Sequence, residues 1–204
     1  AVLGFNADAS SATVSNEVTL GDANVTRFRI PGIGLDWTAA PASLTGITDS
    51  AQNTALGINA AINLTTGNNN TIVGYLAGND ISSGNFNIMA GRGAGQLSTT
   101  SSHNYFIGYI AGGAAVTPGE SNIAIGRSAM SVGSIAGADN IAIGQTAGNN
   151  ISTGAYNVSV GRQAGSTNTT GARNVALGTF ALNLNSTASD SVAVGYAALY
   201  NNTT

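Results

Sequence analysis

The sequence predicts an all-β chain whose main body is a parallel β-roll or β-helix solenoid of nine 17–18-residue rungs. Three observations carry that reading. A short motif recurs at a fixed period, like residues fall in like columns, and the segments between copies have turn chemistry without helical periodicity. In its clearest form the motif is Asn122-Ile123-Ala124-Ile125-Gly126-Arg127-Ser128-Ala129. Its glycine recurs as Gly57, Gly74, Gly91, Gly108, Gly126, Gly144, Gly161, Gly178 and Gly195, at intervals of 17 or 18 residues.

The columns can be read one at a time. Four residues before the glycine stands Asn53, Asn70, Asn87, Asn104, Asn122, Asn140, Asn157 or Asn174, with Ser191 in the last copy. Directly before the glycine the residue is apolar, from Leu56 and Val73 to Leu177 and Val194. Three residues after it stands Ala in every copy, from Ala60 through Ala129 to Ala198. The next position is small or apolar, as in Gly78, Met130 and Leu182.

A run such as Ile123-Ala124-Ile125 is short, partly β-branched and bounded by Asn and Gly, so it reads as a strand. It is apolar on both pleat faces, which predicts cover on both. Between copies lie polar stretches such as Asn63-Leu64-Thr65-Thr66-Gly67-Asn68, too short and irregular for a crossover helix. Stacking each rung in parallel on the last sets identical residues about 4.8 Å apart and makes a rod of roughly 40 Å. The columns then acquire physical reasons. Stacked Asn side chains hydrogen-bond up the ladder, the glycine permits a corner or a close approach, and the all-Ala column predicts a narrow interior. No six-residue aliphatic period is present, so two strands per rung are expected, the second running from the residue after the glycine towards Leu64, Ile81 or Ile151. Such a rung leaves about one large aliphatic residue uncovered, and a stripe of them is best buried against copies of itself. A homotrimer is the expected assembly, intertwined or side by side around an axis parallel to the rod.

The Asn-x-Ala-aliphatic-Gly-x-x-Ala pattern resembles the head repeats of trimeric autotransporter adhesins, which are left-handed parallel β-rolls. The longer period, and runs such as Asn174-Val-Ala-Leu-Gly-Thr-Phe-Ala-Leu182 and Val192-Ala-Val-Gly-Tyr-Ala-Ala-Leu-Tyr200, are more similar to the version in phage tail fibres, notably of cyanophages. The resemblance covers residues from about 50 to 204. It implies a structural fibre of a virion, extracellular, that attaches to a host cell. The implied partners are a glycan or protein receptor on the host surface and other tail proteins. A bacterial adhesin head is the alternative within the same architecture.

Residues 1–50 lack the repeat and are expected to form a small β-region and linker ahead of the 51–204 repeat domain. Glu17-Val-Thr-Leu20 and Val25-Thr-Arg-Phe-Arg-Ile30, around a Gly21-Asp22 turn, alternate in the manner of a hairpin. Pro31-Gly32-Ile33-Gly34 then breaks the second strand, and Trp37 follows. Ala1 follows no basic or apolar leader, and Asn201-Asn202-Thr203-Thr204 reads as the link to another rung, so a piece of a longer chain is expected.

Composition argues against several other functions. Only 7% of residues are charged, the net charge is −3, and there is no Lys and no Cys. This leaves no basic field for nucleic acid, no disulfides and no thiol chemistry. The run from Tyr105 to Val116 is too short and glycine-rich for membrane insertion. The one histidine, His103, has no evident carboxylate partner, and acids such as Asp80, Glu120, Asp139 and Asp190 fall singly in turns. No catalytic residue, cofactor or metal site is therefore expected, and the chain reads as no enzyme. A glycan depolymerase would need an acidic groove, and an ice-binding solenoid would need a regular Thr array; neither is evident. Gly91-Arg-Gly-Ala-Gly95 resembles a phosphate loop only superficially, because its glycines are repeat columns.

One column invites a binding role. Directly after the repeat glycine stand Tyr75, Arg92, Tyr109, Arg127, Arg162 and Tyr196, among other residues. Tyr and Arg on successive rungs suit sugar rings, by stacking and forked hydrogen bonds, and so make a candidate receptor stripe. The plainer reading is a side-chain ladder at a corner of the rod.

Overall fold

The computed structural model describes residues 27–30, 35–38, 52–113, 119–132 and 135–202. Among them there is no helix. The chain separates into two compact units, Ala1–Pro41 and Ala42–Thr204.

In the first unit, β1 (Arg27–Ile30) pairs antiparallel with β2 (Leu35–Thr38), so that Phe28 stands opposite Trp37 in the register. The partner of β1 is thus the segment that follows Pro31–Gly34 in the sequence. Glu17–Leu20, the expected partner of Val25–Ile30, lies outside the described residues.

The second unit is a solenoid of nine three-residue strands: β3 (Thr54–Leu56), β4 (Thr71–Val73), β5 (Ile88–Ala90), β6 (Tyr105–Ile107), β7 (Ile123–Ile125), β8 (Ile141–Ile143), β9 (Val158–Val160), β10 (Val175–Leu177) and β11 (Val192–Val194). They form one parallel sheet in sequence order, each strand aligned with the like residues of the next. Thus Ile123, Ala124 and Ile125 pair with Ile141, Ala142 and Ile143.

The Asn column closes the corner before each strand. The side-chain oxygen of Asn53 accepts from the backbone N–H of Asn70 at 2.9 Å and from its amide at 3.0 Å. The Asn70 amide also reaches across its own rung to the Gly84 carbonyl at 2.8 Å. The same pattern recurs at Asn140 and Asn157. Only a carboxamide supplies both the acceptor and the donors at that length, which explains why these buried positions are Asn. At Asn104 the amide has no acceptor among the described residues. The equivalent carbonyl in its 18-residue rung, that of Gly119, accepts instead from the Asn122 amide at 3.0 Å.

At the repeat glycine φ is near 130°, for example 133° at Gly57 and 131° at Gly91. A Cβ on Gly57 would stand 2.5 Å from the Gly74 carbonyl oxygen, so backbone stacks directly on backbone.

Beyond the glycine the structure departs from the expected second extended strand. The residues two and four further on are left-handed, as at Leu76 (56°) and Gly78 (50°), or Phe180 (63°) and Leu182 (47°). Alternating left- and right-handed residues still bond between rungs, but not as a β-ladder. The Leu76 N–H donates to the Ile58 carbonyl of the rung before at 3.0 Å, whereas the Ala61 N–H donates to the Ala77 carbonyl of the rung after, also at 3.0 Å. The tighter path narrows the rung and seals the Ala column inside, with Ala77, Ala94, Ala111 and Ala129 at 0% exposure.

Cover on both pleat faces is likewise corrected. Only the middle residue of each strand points inward: Ile72, Met89, Phe106, Ala124 and Ala142 are fully buried. In several rungs its volume is balanced by the residue four after the glycine, whereas at Ala142, which faces Gly148, Ile151 supplies the volume. Opposite Ile72, Met89 and Phe106 stand Gly78, Gly95 and Gly112, and a Cβ on Gly112 would come within 2.5 Å of the Phe106 ring. Opposite Ala124 and Ala176 stand Met130 and Leu182, both buried. Those two side chains sit at φ 47°, a left-handed strain of about 1–3 kcal/mol. The core would otherwise hold a void.

Candidate functional site

The outward faces of the strands form the candidate site. Residues one and three before the repeat glycine alternate with the buried middle residue and so point away from the core. They give two parallel columns along nine strands, broader than the single large residue per rung expected from the sequence. Thr54 and Thr71 begin one column, and the rest of it is apolar. Leu56, Val73, Ile107, Ile143 and Leu177 are exposed in the other, and at the last strand Val192 and Val194 reach 65% and 66%. Flat apolar surface of this extent is unusual on an isolated chain.

Two further columns flank it. On one side, after the glycine, Tyr75, Arg92, Tyr109, Arg127, Arg162 and Tyr196 are all exposed. Arg92 lies between two tyrosines, with its Cζ 5.6 Å from the Tyr75 ring centre and 5.3 Å from that of Tyr109. Its Nη1 donates to the Tyr109 hydroxyl at 2.9 Å. Arg162 stacks in the same way on Phe180, at 5.3 Å. Three members of the column, Tyr75, Arg92 and Tyr109, are thereby joined into a side-chain ladder. Tyr196 leans edge-on to Phe180, with ring centres 6.0 Å apart.

The other flank, five residues before the glycine, went unnoticed in the sequence. Phe86, His103, Ser121, Asp139, Tyr156, Arg173 and Asp190 are all exposed there, each with φ between 56° and 62°. The residue types share nothing, so no column shows in the sequence. Phe86 and His103 stack with ring centres 5.1 Å apart. Arg173 and Asp190 form a forked ion pair, Nε to Oδ1 at 2.6 Å and Nη2 to Oδ2 at 2.8 Å. The hydrogen bond from Arg173 is the main reason the Asp190 carboxyl is held below its ordinary range, and the same contact raises the guanidinium. Arg127, Glu120 and Asp139 have no ion-pair partner among the described residues.

Among the described residues no group of three or more His, Asp or Glu stands close enough to hold a metal ion. No protein-family model matches the chain, and no curated protein or solved structure is found to resemble it.

The face therefore consists of an apolar strip between two polar and aromatic borders. From one border to the other is six residues of extended chain, about 20 Å, and eight strand spacings give about 38 Å of length. The product, roughly 750 Å², is close to what one partner contributes to a stable protein–protein interface. An apolar centre with a polar rim is also the usual interface layout. Chemically, the surface can bury itself against a matching surface.

Proposed function

We propose that this chain is a structural fibre protein that works as a parallel homotrimer, a stiff rod in a phage tail fibre that holds host-binding surfaces away from the particle. The observation that carries the reading is the uncovered apolar strip, which runs unbroken along all nine strands and has no segment of its own chain lying on it among the described residues. Three such strips facing a common axis make a closed apolar centre, and the bonded rungs supply stiffness along it. Three-fold display multiplies weak contacts to a cell-surface glycan or protein. The motif's resemblance to tail-fibre repeats supports the setting, in a virion and outside the cell.

The test is the mass of the assembly in solution, with one variant beside it. The parent chain is expected to sediment as three copies. Replacing Ile125 and Ile143 with Asp, both on the outward strip, is expected to leave monomers whose circular dichroism keeps the parent's β signature. A parent chain that is folded and monomeric at micromolar concentration would overturn the reading.

A further inference from the structure

The two borders of the outward face differ in charge, and the difference specifies how copies must be oriented. The border after the repeat glycine carries Arg92, Arg127 and Arg162 and no acid. The opposite border carries Asp139, with Glu120 adjoining it, in addition to the internally paired Arg173 and Asp190. The free charges are thus cationic along one edge and anionic along the other.

The three arginines stand on the third, fifth and seventh of nine rungs, symmetric about the middle. An inverted copy laid face to face with full overlap would match each border to itself. Arg92 would then meet the copy's Arg162, and Arg127 would meet its own counterpart, like charge against like on every arginine rung. Copies related by rotation about the rod axis do the reverse. Every rung keeps its height, and the arginine border of one chain meets the acidic border of the next. Arg127 belongs to the fifth rung, as Glu120 does, and Asp139 to the sixth, so they meet within one rung spacing.

We infer that Arg127 of one chain pairs with Glu120 and Asp139 of its neighbour, and that this contact sets parallel direction and rung register in the assembly. The pairing cannot be satisfied within one chain, because seven largely extended residues put Glu120 and Arg127 about 20 Å apart. Its energetic character follows from its place at a border. A rim charge contributes less to bulk affinity than to selecting partner and register, because the mismatched arrangement is penalised.

The inference rests on the proposed self-assembly, and a charge-reversal series separates the two. The measurement is the protein concentration at which assemblies dissociate in moderate urea at low salt. Arg127→Glu alone, and Glu120→Arg with Asp139→Arg, are each expected to raise it about tenfold. Combining all three reversals in one chain restores opposite charges at every interface and is expected to return the parent value, which also shows that the substitutions are compatible with folding. The differences should shrink in molar salt, where the screening length falls to about 3 Å. If Arg92→Glu, which in an inverted pair would face the copy's Arg162, tightens assembly, the copies are inverted and the inference fails. If the combined variant stays as weak as the single reversals, the pairing is absent. A monomeric parent overturns the proposed function and this inference with it, whereas an assembled parent indifferent to the series overturns the pairing alone.

Discussion

The first six rungs and the last three share one backbone and differ in what fills it. One continuous buried cluster runs from Ala60 to Ile151 and includes Ile72, Ile81, Met89, Phe106, Met130 and Ile135. A second and smaller one holds Ala164, Ala176, Ala181, Leu182 and Ala193. Between them the strand centre is Ser159, and Asn168 stands buried where earlier rungs carry Leu64, Ile81 or Ile151. The Asn ladder crosses that gap unchanged, with the Asn157 N–H bonded to Asn140 and that of Asn174 bonded to Asn157, both at 3.0 Å. Shape therefore comes from the backbone and its N–H-to-Asn bonds, which are the same from Asn70 to Ser191. Stability comes from the filling, which is not.

The strongest way to break this contrast is in the filled half. Phe106→Ala is expected to cost about 3–5 kcal/mol, measured by urea unfolding. The double variant Phe106→Ala with Gly112→Met copies the Ala124 and Met130 arrangement of the next rung and is expected to recover most of the loss. If the double variant is no more stable than the single one, the exchange of volume between the strand centre and the residue four past the glycine is not what holds the rungs.

That exchange was present in the sequence and was not read there. The columns of Asn, Gly and Ala were legible because their identity holds in every copy but for Ser191, and they led to the parallel stack and its register. The strand centres vary among Ile, Met, Phe, Ala and Ser, so they look like noise until paired by size with the residue that faces them. The direction of the strand faces was hidden for a related reason. Ile123-Ala124-Ile125 is apolar on both sides, and nothing in three residues says that the smallest one is inside. The second side of the rung was beyond propensity altogether. Leu76, Ile110 and Phe180 adopt left-handed φ of 56°, 54° and 63°, which none of them favours in isolation. Inter-rung hydrogen bonds impose that conformation, and those bonds exist only once the stack has formed. The border containing Phe86, His103 and Asp139 escaped because its residues have only exposure in common.

A smaller effect of opposite sign sharpens the comparison at its boundary. A Cβ on Gly67 would lie 2.8 Å from the Leu64 side chain, and one on Gly171 would lie 2.6 Å from the Asn168 oxygen, so the two side chains occupy equivalent places. Asn168 donates to the Gly171 carbonyl at 3.0 Å, but its buried oxygen has no partner. Asn168→Leu removes that unpaired acceptor and joins the two apolar clusters. It is expected to stabilise the chain by about 1 kcal/mol, seen as a higher urea midpoint. A lower midpoint would mean that the bond to Gly171 outweighs the apolar contact.

The smallest effect belongs to the last three rungs alone. Arg173 and Asp190 are more than half exposed, with side-chain exposures of 60% and 63%, so solvent screens the pair heavily. Because the Asp190 carboxyl is held below its ordinary value by Arg173, its contribution is present above that ordinary value. It is lost as the pH falls through the lowered one. The parent is therefore expected to lose slightly more stability on acidification than Asp190→Asn, and the two are expected to converge at the acid end. In the first six rungs Asp80 accepts a side-chain hydrogen bond from Asn63 at 3.3 Å, with no cation involved. If the parent and Asp190→Asn trace the same curve, the Arg173 contact contributes nothing to folding, and the halves differ only in what they bury.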